Sequence, residues 1–150
     1  MKTLHRGDFT GYLLTELSTA LLVGDGDAPD EGGWDDDPSA PGSSYSPYTV
    51  VNPLTTQEAT GSIGDSNSEI RAPYSMTSYG ISREQVEFFA DKSREIAVGL
   101  ARTDVLLGED EWRIQQVRVS SIGGVARNDS VRPSEFSQTD VVMIYLSKEL

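Results

Sequence analysis

Carboxylates are the residues of this chain most open to a chemical reading. Residues 24–41 hold Asp25, Asp27, Asp30, Glu31, Asp35, Asp36 and Asp37 with no basic residue among them, and clustered carboxylates are what a hard cation takes. Counted from Asp25, however, the sixth position is Asp30 and the twelfth is Asp36, where a calcium loop needs glycine and glutamate. A solvated acidic loop is the simpler reading, and a metal-assisted hydrolase built on Asp25, Asp27 and Asp35 ranks last among the functions considered. Asp104 and Glu109-Asp110-Glu111 could pair for acid–base work, but they fall in a polar turn with no apolar neighbours to raise a pKa. Ser62, Ser66 and Ser68 have no Gly-x-Ser-x-Gly elbow around them. Gly24-Asp25-Gly26 lacks the third glycine of a dinucleotide loop. His5 has no acid or nucleophile near it in sequence. The absence of cysteine removes thiolate catalysis, disulfides and cysteine-bound metal. The expectation is a protein without an active site, metal or cofactor. Trp34, alone inside the acidic run, reads either as an aromatic anchor for a partner or as local packing.

The elements that would position these residues follow from periodicity. Phe9, Tyr12, Leu13, Leu17, Ala20 and Leu21 recur at helical spacing, with Asp8 or Thr10 to cap the start and Gly24 to end the helix. Residues 24–41 contain four glycines, three prolines and seven acids, too little apolar area to offset ordering. A mobile loop, dispensable for folding, is expected there. Tyr48 to Leu54 reads as a short strand ended by Pro53, and Ile70 to Tyr79 as the next, with a polar loop over 55–69 between them. Ser82 and Gln85 form a capping box for a helix over 82–102, with Val86, Phe89, Ala90, Ala97 and Leu100 on its apolar face. Phe89 is expected to be buried under this face, at a cost of roughly 3–5 kcal/mol if cut to alanine. Trp112 to Ile122 and Val141 to Leu146 read as strands, separated by Gly123-Gly124 and a polar loop to Gln138. The expected fold is a single α+β domain over 1–150. Two helices would cover a mainly antiparallel four-stranded sheet in the order α-β-β-α-β-β.

Length and charge narrow the function. At 150 residues the chain fits one domain, and its net charge of −12 repels both DNA and anionic lipid. No run approaches the roughly 18 apolar residues of a membrane span, and the first residues lack the apolar stretch of a signal peptide. A soluble protein with no membrane partner is expected.

Four stretches then carry a likeness. Arg71-Ala72-Pro73-Tyr74-Ser75-Met76-Thr77-Ser78-Tyr79-Gly80 leads into Ser82-Arg83-Glu84-Gln85-Val86-Glu87-Phe88-Phe89-Ala90-Asp91. After it come Trp112-Arg113-Ile114, then Gly123-Gly124 with Arg127-Asn128-Asp129, then Val141 to Leu146. Together, over most of Thr10 to Leu146, they resemble the tail terminator proteins of long, flexible-tailed (siphovirus-type) bacteriophages. That resemblance implies a structural subunit of the virion tail, assembled in the host cytoplasm as a homohexameric ring on the end of the tail tube. There it would stop polymerisation and join the tail to the head. The implied partners are further copies of the chain, the major tail tube protein and the head–tail connector or stopper protein, with genomic DNA passing through the bore without specific binding. The candidate contact residues are Trp34, Asp35, Asp36 and Asp37; Ser62, Ile63, Asp65 and Asn67; and Gly123, Gly124, Arg127, Asp129 and Arg132. Two other functions compete: a head-completion or connector subunit of the same virion, and an acidic, DNA-mimicking inhibitor of a basic protein. The inhibitor needs acids at phosphate-like spacing on a helix or strand, whereas these lie in a Gly/Pro-rich segment.

Overall fold

Two long antiparallel strands, β6 (Glu69–Gly80) and β10 (Glu135–Lys148), form the centre of the molecule. The computed structural model describes residues 6–54, 57–59 and 69–148. Around this pair the remaining strands are β1 (Val23–Asp25), β4 (Tyr48–Pro53), β5 (Gln57–Ala59), β7 (Asp104–Leu107), β8 (Asp110–Ile122) and β9 (Ala126–Asn128). The sheet runs β1-β4-β6-β10-β8-β7, with β5 added to β6 and β9 added to β10. β1 joins β4 in parallel and the other pairings are antiparallel. A second small sheet is the hairpin β2 (Gly33–Trp34) with β3 (Tyr45–Ser46).

Alternation along β6 and β10 divides the sheet into two faces. Ile70, Ala72, Tyr74 and Met76 on β6, and Val142, Ile144 and Leu146 on β10, are buried toward the helices. Ile144 lies between Ala72 and Val117, and Leu146 between Ile70 and Ile114. α1 (Arg6–Ser18) adds Phe9, Leu13 and Leu17, all with no exposed surface, each contributing on the order of 2 kcal/mol of apolar burial. α2 (Arg83–Gly99) presents mostly small residues, Val86, Ala90, Ser93 and Ala97, which let it lie close on the sheet. Ser82 caps it by accepting from the Gln85 amide at 3.2 Å. Gln85 reaches back to the Ile81 amide at 3.1 Å, so the box closes one residue earlier than the usual pattern. The start of α1 is fixed by Arg6, which donates to Tyr74 Oη at 3.0 Å and to the Leu54 and Pro73 carbonyls, with its guanidinium over the Tyr74 ring.

Two register shifts curl the sheet. Between Val141/Val142 and Tyr145/Leu146 of β10 the pairing steps by one residue, leaving Ser120 and Gln115 of β8 as extra residues. Such bulges bend a strand and increase its twist.

Several sequence expectations need correction. The sheet is not four-stranded: among the described residues it has eight strands, is mixed through the parallel β1–β4 pair, and is accompanied by a second small sheet. The order α-β-β-α-β-β is replaced, among the described residues, by six strands between the helices and four after α2. The added strands β1, β5, β7 and β9 are three or four residues long, too short for alternation to show. α1 ends at Ser18, and Gly24 lies in β1 instead of capping a helix. Phe89 is half-buried, with the apolar face of α2 centred on Val86, Ala90 and Ala97.

Candidate functional site

The acidic segment folds into an arm with its own local scaffold. Asp35 accepts from the Ser44 amide at 2.8 Å and from the Ser43 and Ser44 hydroxyls. Asp37 accepts from the Ser39 amide at 3.0 Å and from its hydroxyl at 2.7 Å. These hydrogen bonds, the backbone ones first, hold both carboxyls below their ordinary range. The base of the arm is aromatic. Trp34 meets Tyr45 edge to face at 5.6 Å and Tyr48 stacks on Tyr79 at 5.0 Å. A side chain at Gly32 would strike the Tyr48 ring at 2.8 Å, so residue 32 must be glycine for the chain to cross so closely. Tyr45 Oη donates to Glu135 Oε2 at 3.3 Å, tying the arm to the first residue of β10. Burial, reinforced by the Glu135 charge, raises the Tyr45 and Tyr48 hydroxyls above their ordinary range.

A second arm, residues 123–134, is fixed to the same end. Asp140 has no exposed surface, and both of its oxygens accept hydrogen bonds. One accepts from Arg94 Nη1 at 2.8 Å, the other from the Gly123 amide and from Gln138 Nε2, both at 3.0 Å. A buried carboxylate is tolerated only when paired and hydrogen-bonded in this way. Arg94 also pairs with Asp91 on its own helix. A Cβ at Gly123 would sit 2.3 Å from the Thr139 carbonyl oxygen, so the loop approaches β10 only because residue 123 is glycine. β9 then pairs with β10 through Arg127 and Phe136, and the Arg127 guanidinium lies over the Phe136 ring. Asp129 accepts from Ser134 at 2.6 Å and from Arg127 at 2.5 Å, contacts that, the Ser134 one first, hold its carboxyl below the ordinary range. Arg127, Asp129, Arg132, Pro133 and Ser134 line an open cleft of about 400 Å³.

No protein-family model matches the chain, and no curated protein matches it in sequence.

The candidate residues thus fall into three groups. Trp34, Asp35, Asp36 and Asp37 are brought to the same end of the sheet as Gly123, Gly124, Arg127, Asp129 and Arg132, through Tyr45–Glu135 and the β9–β10 pairing. Trp34 is half-buried against Tyr45, which favours local packing over a free anchor. Ser62, Ile63, Asp65 and Asn67 lie outside the described residues, as does His5. Asp25, Asp27, Asp30 and Glu31 do not converge: among the described residues no group of three or more His, Cys, Asp or Glu is placed to hold a metal ion. Asp104 pairs with Arg113 and Asp110 with Lys148, so these acids bind neighbouring strands together. No helix among the described residues is long and apolar enough to cross a membrane.

Sequence reasoning missed Tyr45, Tyr48, Tyr79, Glu135, Arg94 and Asp140. A single acid directly before the apolar run Val141 to Leu146 was the available signal for Asp140, since a charge inside a central strand needs a built partner. The arrangement as a whole suits binding. It offers fixed carboxylates as acceptors on one arm and guanidiniums as donors on the other.

Proposed function

We propose that this chain is a structural subunit of a bacteriophage tail. It closes a ring of identical copies on the head-proximal end of the tail tube, stops tube growth and joins the tail to the head connector. The likeness of the strand–helix stretch around 71–91 and of the closing strand 141–146 to tail terminators supports the reading. The structural observation that carries it is the acidic arm at Asp35–Asp37, held at one end of the sheet through the Tyr45–Glu135 hydrogen bond. A ring needs two different patches on each subunit so that the contact repeats head to tail and closes, and an acidic arm on a fixed scaffold supplies one of them. The net charge of −12 fits a bore through which DNA slides, because fixed negative charge removes the counterion-release gain of binding.

Deleting the gene from a phage that carries it tests the reading by electron microscopy of the particles. Tails of uncontrolled length, unattached to heads, are the expected outcome. Tails of correct length that fail to join heads would assign the chain to the head-completion or connector role. Normal particles would overturn both.

A further inference from the structure

The helices cover one face of the sheet; the other face is shared unequally. Residues 26–34 lie over the part formed by β4, with Gly26 near Asn52 and Gly32 against Tyr48. Beyond the end held by Tyr48–Tyr79 and Tyr45–Glu135, no described element is seen to lie on this face of β6, β10 and β8, although Pro73 there is buried. The residues pointing there are set by register. Arg71, Tyr145 and Gln116 form one row, Pro73, Met143 and Arg118 the next, and Ser75, Val141 and Ser121 a third. Val141, Met143 and Tyr145 are half-exposed, and such a stripe of Met and Tyr flanked by arginine has the composition of an interface core.

The charge on this face is unlike that of the rest of the molecule. Arg71 and Arg118 are exposed, and no carboxylate among the described residues lies within ion-pair distance of either. Of the acids on the same face, Asp104 is held by Arg113, Glu69 sits at the margin opposite Ser147, and Glu111 sits at the far margin opposite Leu106 of β7. A chain with 24 acids and 12 bases thus keeps two arginines beside an apolar stripe with no carboxylate partner among the described residues, Arg71 lying over the Tyr145 ring. Asp36 and Asp37, at the outer part of the acidic arm, are exposed and tied only to their own loop.

The subunit's own Asp36 and Asp37 do not reach Tyr145. Ten residue steps of β10 separate Glu135, where the arm is anchored, from Tyr145, a distance of about 33 Å. Asp37 is three residues beyond Trp34, at most about 11 Å of chain. A second copy has no such limit.

We propose that the open face around Met143 and Tyr145 receives the acidic arm of a neighbouring copy, with Asp36 and Asp37 of one subunit paired to Arg71 and Arg118 of the next. The contact is heterologous: donor and acceptor patches lie toward opposite ends of the same sheet, so each subunit gives its arm to one neighbour and takes an arm from the other. Charge pairs at the rim fix the register while the apolar stripe supplies burial. This assignment rests on the ring reading above and names the surface that builds the ring.

Charge reversal tests it in the full chain. Arg71→Glu with Arg118→Glu, and separately Asp36→Arg with Asp37→Arg, should each lower the concentration-dependent self-association measured by sedimentation velocity or by ring formation on isolated tail tubes by about tenfold or more. The four substitutions combined should restore it. All four positions are exposed, so thermal midpoints should stay near that of the parent chain. Because the chain has no cysteine, a second measurement is direct: Asp37→Cys with Arg118→Cys in one chain should give a covalent ladder of oligomers on mild oxidation, absent from either single variant. If the parent chain forms rings but neither reversal weakens them and no ladder appears, the ring reading stands and this interface is overturned. If the parent chain forms no oligomer in solution or on tubes, both fall.

Discussion

Ile144 and its neighbours Met143 and Tyr145 sit one residue apart on the same strand in different surroundings. Ile144 has no exposed surface and lies among Ala72 and Val117, whereas Met143 and Tyr145 are half-exposed on the face that no described element covers. One face of β10 therefore carries stability and the other is free to carry recognition. The two can be altered separately, because alternation puts them on opposite sides of a single backbone.

The sharpest way to break this contrast is to truncate both sides. Ile144→Ala should cost about 4 kcal/mol through lost burial and a residual cavity, and Met143→Ala about 1 kcal/mol or less, measured by urea unfolding. Equal costs would show that the second face is covered after all. Next in size, Asp140→Ala should cost about 3 kcal/mol, because Arg94 is then left mostly buried with only Asp91 beside it. The same change should speed hydrogen exchange at the Gly123 amide, which loses its acceptor. Replacing residues 27–44 by a short Gly-Ser linker should cost about 2 kcal/mol, roughly 5 °C in midpoint, by uncovering Tyr48 and Val50. Composition alone predicts no change in that experiment, so an unaltered midpoint would restore the dispensable-loop expectation. Phe89→Ala should cost only about 1 kcal/mol, since the ring is half-buried. The smallest effect concerns pH. Asp35 and Asp37 have folded pKa values below the ordinary 3.8, so their contribution is complete above that value and is lost as pH falls through the folded values. The arm should loosen only in acid, with no change in its amide spectrum between about pH 5 and 8.

How much of this was legible in the sequence depended on length and on partners. The long stretches 70–79 and 112–122 and the run 141–146 announced themselves through apolar residues with strand character, and Ser82 with Gln85 marked the start of α2. The three-residue strands had no room to show a period. β10 runs back to Glu135 through Ser137, Gln138 and Asp140, polar residues that read as loop because their partners, Arg94 and Gly123, are distant in sequence. For the acidic segment composition and geometry point to different readings. Its acids and glycines were weighed as a composition, while the features that place it are a single close approach at Gly32 and one hydroxyl at Tyr45. Phe89 was misplaced for a related reason: two adjacent phenylalanines each fit a helical stripe within one position, and the face of α2 on the sheet is made by Val86, Ala90, Ser93 and Ala97 instead.

The two bulges in β8 have an evolutionary consequence. A strand that pairs on both sides ordinarily tolerates no single-residue deletion, because everything beyond the cut changes face. β8 has two exceptions. Removing Gln115 would bring Ile114 and Val117 to a spacing of two, matching Leu146 and Ile144 opposite, and removing Ser120 would leave Val117 and Val119 where they are. Deleting Arg118 instead would turn every later residue over. Length variants of this strand among descendants of the chain should therefore cluster at those two positions, and their loss would be felt in how strongly the sheet curls more than in whether it folds.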